Sequence, residues 1–192
     1  MTKAELRKFY LNERLSLSDK DLTQYNRDIC DNFFNQVSLK EIRVVHSFIT
    51  MDNTKEPDTW MIINRLLKNY PDIRVSVPRI NVESRSIENF YYENPAQLKP
   101  NAWGIREPEF GESTVTEDID LVLVPMLIAD QYGHRVGYGK GFYDKFLATC
   151  KTSCVSVGLC FYEPVLRIND IQDWDMPLKY CVTPVKVHHF SD

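Results

Sequence analysis

Residues 120–125, Asp120-Leu121-Val122-Leu123-Val124-Pro125, decide the fold. After the opening aspartate this run has no polar face. A strand apolar on both sides belongs in the middle of a parallel sheet covered by helices, since a strand with one wet face would alternate. A glycine-bearing loop follows, then a helical stretch from Phe142 to Cys150, then a further strand from Cys154 to Leu159. Strand, loop, helix and strand in that order make a βαβ unit.

Working outward, Glu41 to Ile49 reads as a strand rich in β-branched and aromatic residues, with His46 inside it as a satisfied core histidine. Ile73 to Val77 reads as a second short strand, ended by Pro78. Between them Pro57 is placed to open a helix at its first position, with Trp60, Ile63, Leu66 and Leu67 facing inward until Tyr70-Pro71. Two helices precede these. The first carries Leu6, Tyr10, Leu11 and Leu15 on an apolar stripe with Lys3 and Arg14 on its flanks. The second starts after Ser18, with Asp21 as a capping-box acid and Leu22, Tyr25, Ile29 and Phe33 inward. A last strand is expected near Tyr180 to Val187, with His188 and His189 at an edge. Arg79 to Glu117, broken by prolines, Gly104 and Gly111, reads as an irregular excursion that closes one side of a pocket. The expected fold is α/β, one domain over residues 1–192 with a mostly parallel or mixed central sheet flanked by helices.

Composition narrows the function classes. Aromatic residues at 12% and apolar residues at 43% suit a folded chain with a real core rather than a disordered one. A net charge of −4 argues against nucleic-acid binding by phosphate neutralisation, yet leaves room for a local basic pocket. No apolar run approaches the ~20 residues of a membrane span. The charged opening Met1 to Arg7 lacks the apolar core of a secretory signal, so the cytoplasm is the expected compartment. Five cysteines without a CxxC pair, and histidines without metal-ligand spacing, point to neither a disulfide framework nor structural zinc.

The chemistry concentrates in Asp130-Gln131-Tyr132-Gly133-His134-Arg135-Val136-Gly137-Tyr138-Gly139-Lys140-Gly141-Phe142-Tyr143-Asp144. Alternating Gly137, Gly139 and Gly141 allow tight turns and close approach of backbone N–H groups to a ligand. The following helix aims its positive end at the same point, and Arg135 and Lys140 add formal charge. Phosphate oxygens fit such a loop, although it matches neither the GxxxxGK[ST] P-loop nor the GxGxxG fingerprint. On spacing alone, a plain strand-to-helix turn with a solvated Arg and Lys is equally open. An acid at the start of the helix, Asp144, suits either a cap or a magnesium ligand.

Taken with Lys3…Arg7, Glu56-Pro57-Asp58-Thr59, the strand Asp120 to Pro125 and the segment Trp103-Gly104-Ile105-Arg106-Glu107-Pro108, this loop resembles the 5-formyltetrahydrofolate cyclo-ligase family. The resemblance covers nearly the whole chain and implies a three-layer α/β fold without a P-loop. It implies ATP- and magnesium-dependent closure of 5-formyltetrahydrofolate to 5,10-methenyltetrahydrofolate, with ADP and phosphate released. It places Lys3, Arg7 and the loop Arg135, Gly137, Tyr138, Gly139, Lys140, Gly141, Phe142 and Tyr143 on ATP, with Arg135 and Lys140 as the catalytic cations. Asp144 and Asp175 become the metal acids, while Glu56, Tyr138 and Phe142 face the folate. Trp103 is a weaker candidate for the same wall, and Asp130 is expected to orient Arg135 or approach the metal. The implied protein is a monomer whose partner is a small molecule, not nucleic acid or membrane. Two other readings of the loop are a sugar-phosphate isomerase-like enzyme and a non-catalytic nucleotide-binding regulatory domain.

Overall fold

The strand Leu121–Pro125 lies fourth of seven in the central sheet, with a parallel neighbour on each side. The computed structural model describes residues 1–51, 54–101 and 104–190. Along these the elements run α1 (Lys3–Ser16), α2 (Asp19–Gln36), β1 (Val44–Ser47), α3 (Thr59–Asn69), β2 (Arg74–Asn81), β3 (Ser86–Tyr91), β4 (Leu98–Pro100) and β5 (Arg106–Pro108). They continue with β6 (Leu121–Pro125), β7 (Ile128–Ala129), β8 (Arg135–Val136), α4 (Phe142–Thr149), β9 (Val155–Leu159), β10 (Tyr180–Val182) and β11 (Val187–His189). The main sheet has the order β11-β10-β9-β6-β1-β2-β3, parallel except for the edge strands β3 and β11.

Three layers follow from the alternation of side chains along each strand. Leu121 and Leu123 of β6 pack with Ile29 and Phe33 of α2 and Ile62, Ile63 and Leu66 of α3. Val122 and Val124 point the other way and pack with Leu6 of α1 and Phe146 and Leu147 of α4. All four β6 side chains are fully buried, which is worth roughly 1.5–3 kcal/mol for each. Asp120, just before the strand, accepts the backbone N–H groups of Arg43 and Val44 and an ion pair from Lys151, fixing β1 against β6 at the sheet's amino end. No described helix is long and apolar enough to cross a membrane.

Several expectations shift. The first strand is shorter than 41–49, and the last becomes two strands turned back on each other. Pro57 sits outside α3, whose N-cap is Asp58, accepting from the N–H of Trp60 at 2.9 Å. Ile62 takes the buried place on α3 expected for Leu67, which is largely exposed. Ser18 accepts the N–H of Asp21 as expected, but the Asp21 carboxylate accepts from the Ser18 hydroxyl instead of the cap backbone. Strand β2 runs through Pro78 to Asn81. It can do so because β1 pairs with it only over Arg74 to Ser76, leaving no ladder bond for the missing N–H to break. His46 is fully buried but not satisfied: neither ring nitrogen has a hydrogen-bond partner among the described residues. Its ring packs 4.7 Å from Phe146, and burial pushes its pKa down to about 3.

Candidate active site

The strand order places a crevice between β1 and β6. The connection after β1 leads through α3 to β2 on one side, while the connection after β6 leads through α4 to β9 on the other. Where successive connections diverge, the carboxyl ends of the strands leave an opening that suits a ligand. A cleft of about 1270 Å³ lies there. Phe48, Ile49, Met51 and Glu56 line it from the segment after β1, and Pro125 and residues 135–145 line it from the segment after β6. The end of β2, through Ile80, and the excursion after it, through Ile105, Arg106 and Glu107, supply a third wall, with Ile80 N–H tied to Glu107 at 3.0 Å.

Each residue proposed for ATP, folate or metal lines this cleft: Lys3, Arg7, Glu56, Arg135, Gly137, Tyr138, Gly139, Lys140, Gly141, Phe142, Tyr143, Asp144 and Asp175. Of the alternating glycines, Gly139 and Gly141 have φ of +83° and +72°, the left-handed region that side chains resist. Gly137 does not, and a Cβ there would make only an ordinary contact, 3.7 Å from the carbonyl oxygen of Pro125. At Gly139 the space is taken by Arg7, whose guanidinium carbon would lie 3.1 Å from an added Cβ. Arg7 Nε donates to Gly137 O at 2.8 Å, so α1 is fastened directly across the loop. Gly141 caps α4 with no side-chain acceptor among the described residues for the first-turn N–H groups of that helix.

The charges are arranged in cation–anion pairs. The Arg135 side chain is 6% exposed and donates Nη1 to Met176 O and Nη2 to Asp144 Oδ1, the latter at 2.7 Å. Burial lowers its pKa, and the carboxylate of Asp144 opposes that shift. Arg135 therefore holds Asp144 rather than reaching openly into the cleft as the sequence suggested. Lys3 pairs in the same way with Asp175, whose Oδ2 also accepts the N–H of Gln172 at 2.7 Å. Lys140 is exposed and has no ion-pair or hydrogen-bond partner among the described residues. Asp130 departs from expectation. It is fully buried and accepts the N–H groups of Tyr132, His134 and Ile168, so it shapes the loop entry without touching Arg135 or lining the cleft. Trp103 lies outside the described residues.

The folate-side candidates form a second network. Glu56 is 4% exposed. Its Oε2 accepts the N–H of Met51 at 3.0 Å, and its Oε1 accepts the hydroxyl of Tyr138. Arg14 completes this group by donating Nη2 to Tyr138 Oη at 2.6 Å. The sequence reading put Arg14 on a flank and Leu15 on the stripe; the structure buries Arg14 and exposes Leu15. The available signal was a cation among apolar helix positions, but its partner is 124 residues away. Tyr143 lines the cleft with its ring, while its hydroxyl is sealed in without a partner among the described residues, and burial pushes that phenol well up.

The donor set suits magnesium bound together with phosphates. Asp144 Oδ2 and Asp175 Oδ1 accept no hydrogen bond among the described residues, so each acid commits one oxygen to the protein and keeps one. No group of three or more His, Cys, Asp or Glu side chains able to hold a metal occurs among the described residues. An ion that keeps waters and takes one or two carboxylates plus phosphate oxygens matches that pattern better than one needing a full protein cage.

Residues 1–184 match the model of the 5-formyltetrahydrofolate cyclo-ligase family. The chain is 26% identical to the probable 5-formyltetrahydrofolate cyclo-ligase of Schizosaccharomyces pombe, over 97% of each chain. It is 30% identical to the 5-formyltetrahydrofolate cyclo-ligase of Escherichia coli K12, over 73% of this chain and 77% of that one. The NMR structure of Aquifex aeolicus 5,10-methenyltetrahydrofolate synthetase superposes with a TM-score of 0.83 at 30% identity, covering 100% of this chain and 94% of the other. The 5,10-methenyltetrahydrofolate synthetase of Mycoplasma pneumoniae, at 18% identity and a TM-score of 0.71, shares the fold over 95% of this chain and 98% of its own. The chain belongs to the 5-formyltetrahydrofolate cyclo-ligase family and is an enzyme of that ring-forming, carbon–nitrogen ligase type.

Proposed function

We propose that the protein closes 5-formyltetrahydrofolate to 5,10-methenyltetrahydrofolate at the expense of ATP, through a phosphorylated formyl intermediate. The observation that carries this is one cleft lined by a glycine loop, by Lys140, which has no partner among the described residues, by two carboxylates and by the Glu56–Tyr138 pair. A formamide oxygen is a poor leaving group. Its attack on the γ-phosphoryl makes it a good one, with ADP departing. N10 then bonds to the formyl carbon and phosphate leaves, the N10 proton being lost to solvent.

The protein's part is alignment and charge stabilisation. Lys140, Lys3 and Arg7 bind phosphate oxygens, and the first-turn N–H groups of α4 point toward them. Asp144 and Asp175 offer their uncommitted oxygens to magnesium, which when bound draws charge from the phosphoryl oxygens. Glu56 accepts the amino and ring N–H groups of the pterin, against the flat walls of Tyr138 and Phe142.

The test is the absorbance of methenyltetrahydrofolate formed from 5-formyltetrahydrofolate, ATP and magnesium. Omitting any one component should abolish the signal. Turnover without ATP, or none with all three present, would overturn the proposal. Asp144→Asn should raise the magnesium concentration needed for half-maximal rate by about tenfold or more, since loss of even a hydrogen-bond partner behind a metal ligand costs about that much. An unchanged magnesium curve would remove Asp144 from the metal site.

A further inference from the structure

Arg14 heads the largest fully buried side chains of the protein, being 2% exposed at the carboxyl end of α1. Two of its nitrogens, Nε and Nη1, have no hydrogen-bond partner among the described residues. The third donates to Tyr138 Oη at 2.6 Å, and the guanidinium carbon lies 5.6 Å from the Tyr138 ring centroid. A guanidinium buried with so little compensation is a costly way to fill space, because desolvation of an ion takes several kcal/mol that an apolar chain of similar size avoids. Packing alone does not explain it.

The direction of the hydrogen bonds does. A guanidinium only donates, so it occupies a lone pair of the Tyr138 oxygen. The hydroxyl has one proton, and the geometry sends it to Glu56 Oε1. Burial, with the Glu56 charge adding to it, holds the phenol well above its ordinary pKa, so that proton stays on the tyrosine. With Met51 N–H on Oε2, both oxygens of Glu56 are held from the protein side and the carboxylate cannot rotate freely. Positions 3, 7 and 14 of α1 fall within about 40° of one another around the helix axis. One helix face thus serves both groups of residues, with Lys3 and Arg7 lining the cleft beside Asp175 and Gly137, and Arg14 behind Tyr138.

We propose that Arg14 is a positioning residue for the folate half of the site, acting through the Tyr138 hydroxyl to fix Glu56 as an acceptor edge for the pterin. The inference rests on the cyclo-ligase reading above. Arg14 touches no reacting atom; its effect passes through Tyr138, so removing either link has the same consequence.

The experiment is steady-state kinetics on Glu56→Gln, Tyr138→Phe, Arg14→Gln and the Arg14→Gln/Tyr138→Phe double variant, with thermal melting as a folding control. Tyr138→Phe and Arg14→Gln should each raise KM for 5-formyltetrahydrofolate about tenfold (about 1.4 kcal/mol) and leave KM for ATP unchanged. The double variant should be no worse than the poorer single one, because both cut the same chain. Arg14→Lys should recover part of the loss. Multiplying effects in the double variant, or KM for ATP rising in step, would overturn the inference, since either result describes general loosening of the cleft. Should Arg14→Gln not fold, Tyr138→Phe and Arg14→Lys decide alone. If Glu56→Gln raises the folate KM while the Arg14 and Tyr138 variants do not, the inference falls and the cyclo-ligase reading stands. A wild-type protein without turnover removes both.

Discussion

Lys140 and Lys3 carry the same charge on the same cleft in opposite circumstances. Lys3 is held by Asp175, whereas Lys140 is exposed and has no partner among the described residues. Removing Lys140 therefore should cost the fold little, within about 0.5 kcal/mol as for an ordinary surface change. Lys140→Ala is expected to raise KM for ATP severalfold and leave KM for the folate alone. Initial-rate measurements varying each substrate in turn check this, and a matching rise in the folate KM would remove Lys140 from the phosphate end. What the sequence disclosed at this scale was residue type at a spacing: two cations one helical turn apart, three alternating glycines, and an acid at a helix start. It did not disclose pairing. Arg135 is held by Asp144 nine residues on and by Met176 O 41 residues on, Asp130 by nearby N–H groups and by that of Ile168 38 residues on, and Arg14 by Tyr138 124 residues on, so each pairing needs the folded chain to be read.

Among elements, the loop between β8 and α4 separates the glycines required by backbone conformation from the one that is not. Gly139→Ala forces a side chain into φ +83° and brings its Cβ to 3.1 Å from the Arg7 guanidinium. The left-handed conformation costs about 1–2 kcal/mol, and the Arg7 guanidinium must give by a few tenths of an ångström. Gly137→Ala meets no such strain. Thermal melts should thus show Gly139→Ala about 2–8 °C below the parent and Gly137→Ala close to it. Equal melting temperatures for the two would contradict this account of the loop. Periodicity revealed the interiors of α2, β6, α4 and β9 well because burial on a known face leaves a regular trace. Ends were less legible. β2 continues through a proline only because its neighbour stops short, and α3 starts two residues later than Pro57 suggested because Asp58 supplies the cap.

For the whole molecule, the buried face of β1 gives a pH signature. His46 has a folded-state pKa of about 3 against 6.5 when free, so between these values the unfolded chain takes up a proton that the folded one refuses. Stability from this source is complete above about pH 6.5 and falls as the pH drops, by up to about tenfold in the folding equilibrium per pH unit. Denaturant unfolding of wild type and His46→Phe between pH 7 and 5 measures it. The wild type should lose stability relative to the variant on acidification, and parallel curves would refute the buried neutral imidazole. The sheet's parallel centre was readable from residues 121–125 alone, yet the strand order was not, because order depends on which connection crosses to which side. That order is what opens the cleft.

The Lys3–Asp175 ion pair joins positions 172 residues apart, and the cleft wall is incomplete until it closes. Contacts of such long sequence separation form only after a large loop has been drawn shut, which makes them slow and late. During synthesis α1 is complete and clear of the ribosome long before Asp175 exists to meet Lys3. A nascent chain could thus display a collapsed sheet and still be catalytically silent, so that the appearance of turnover would time-stamp the last event of maturation.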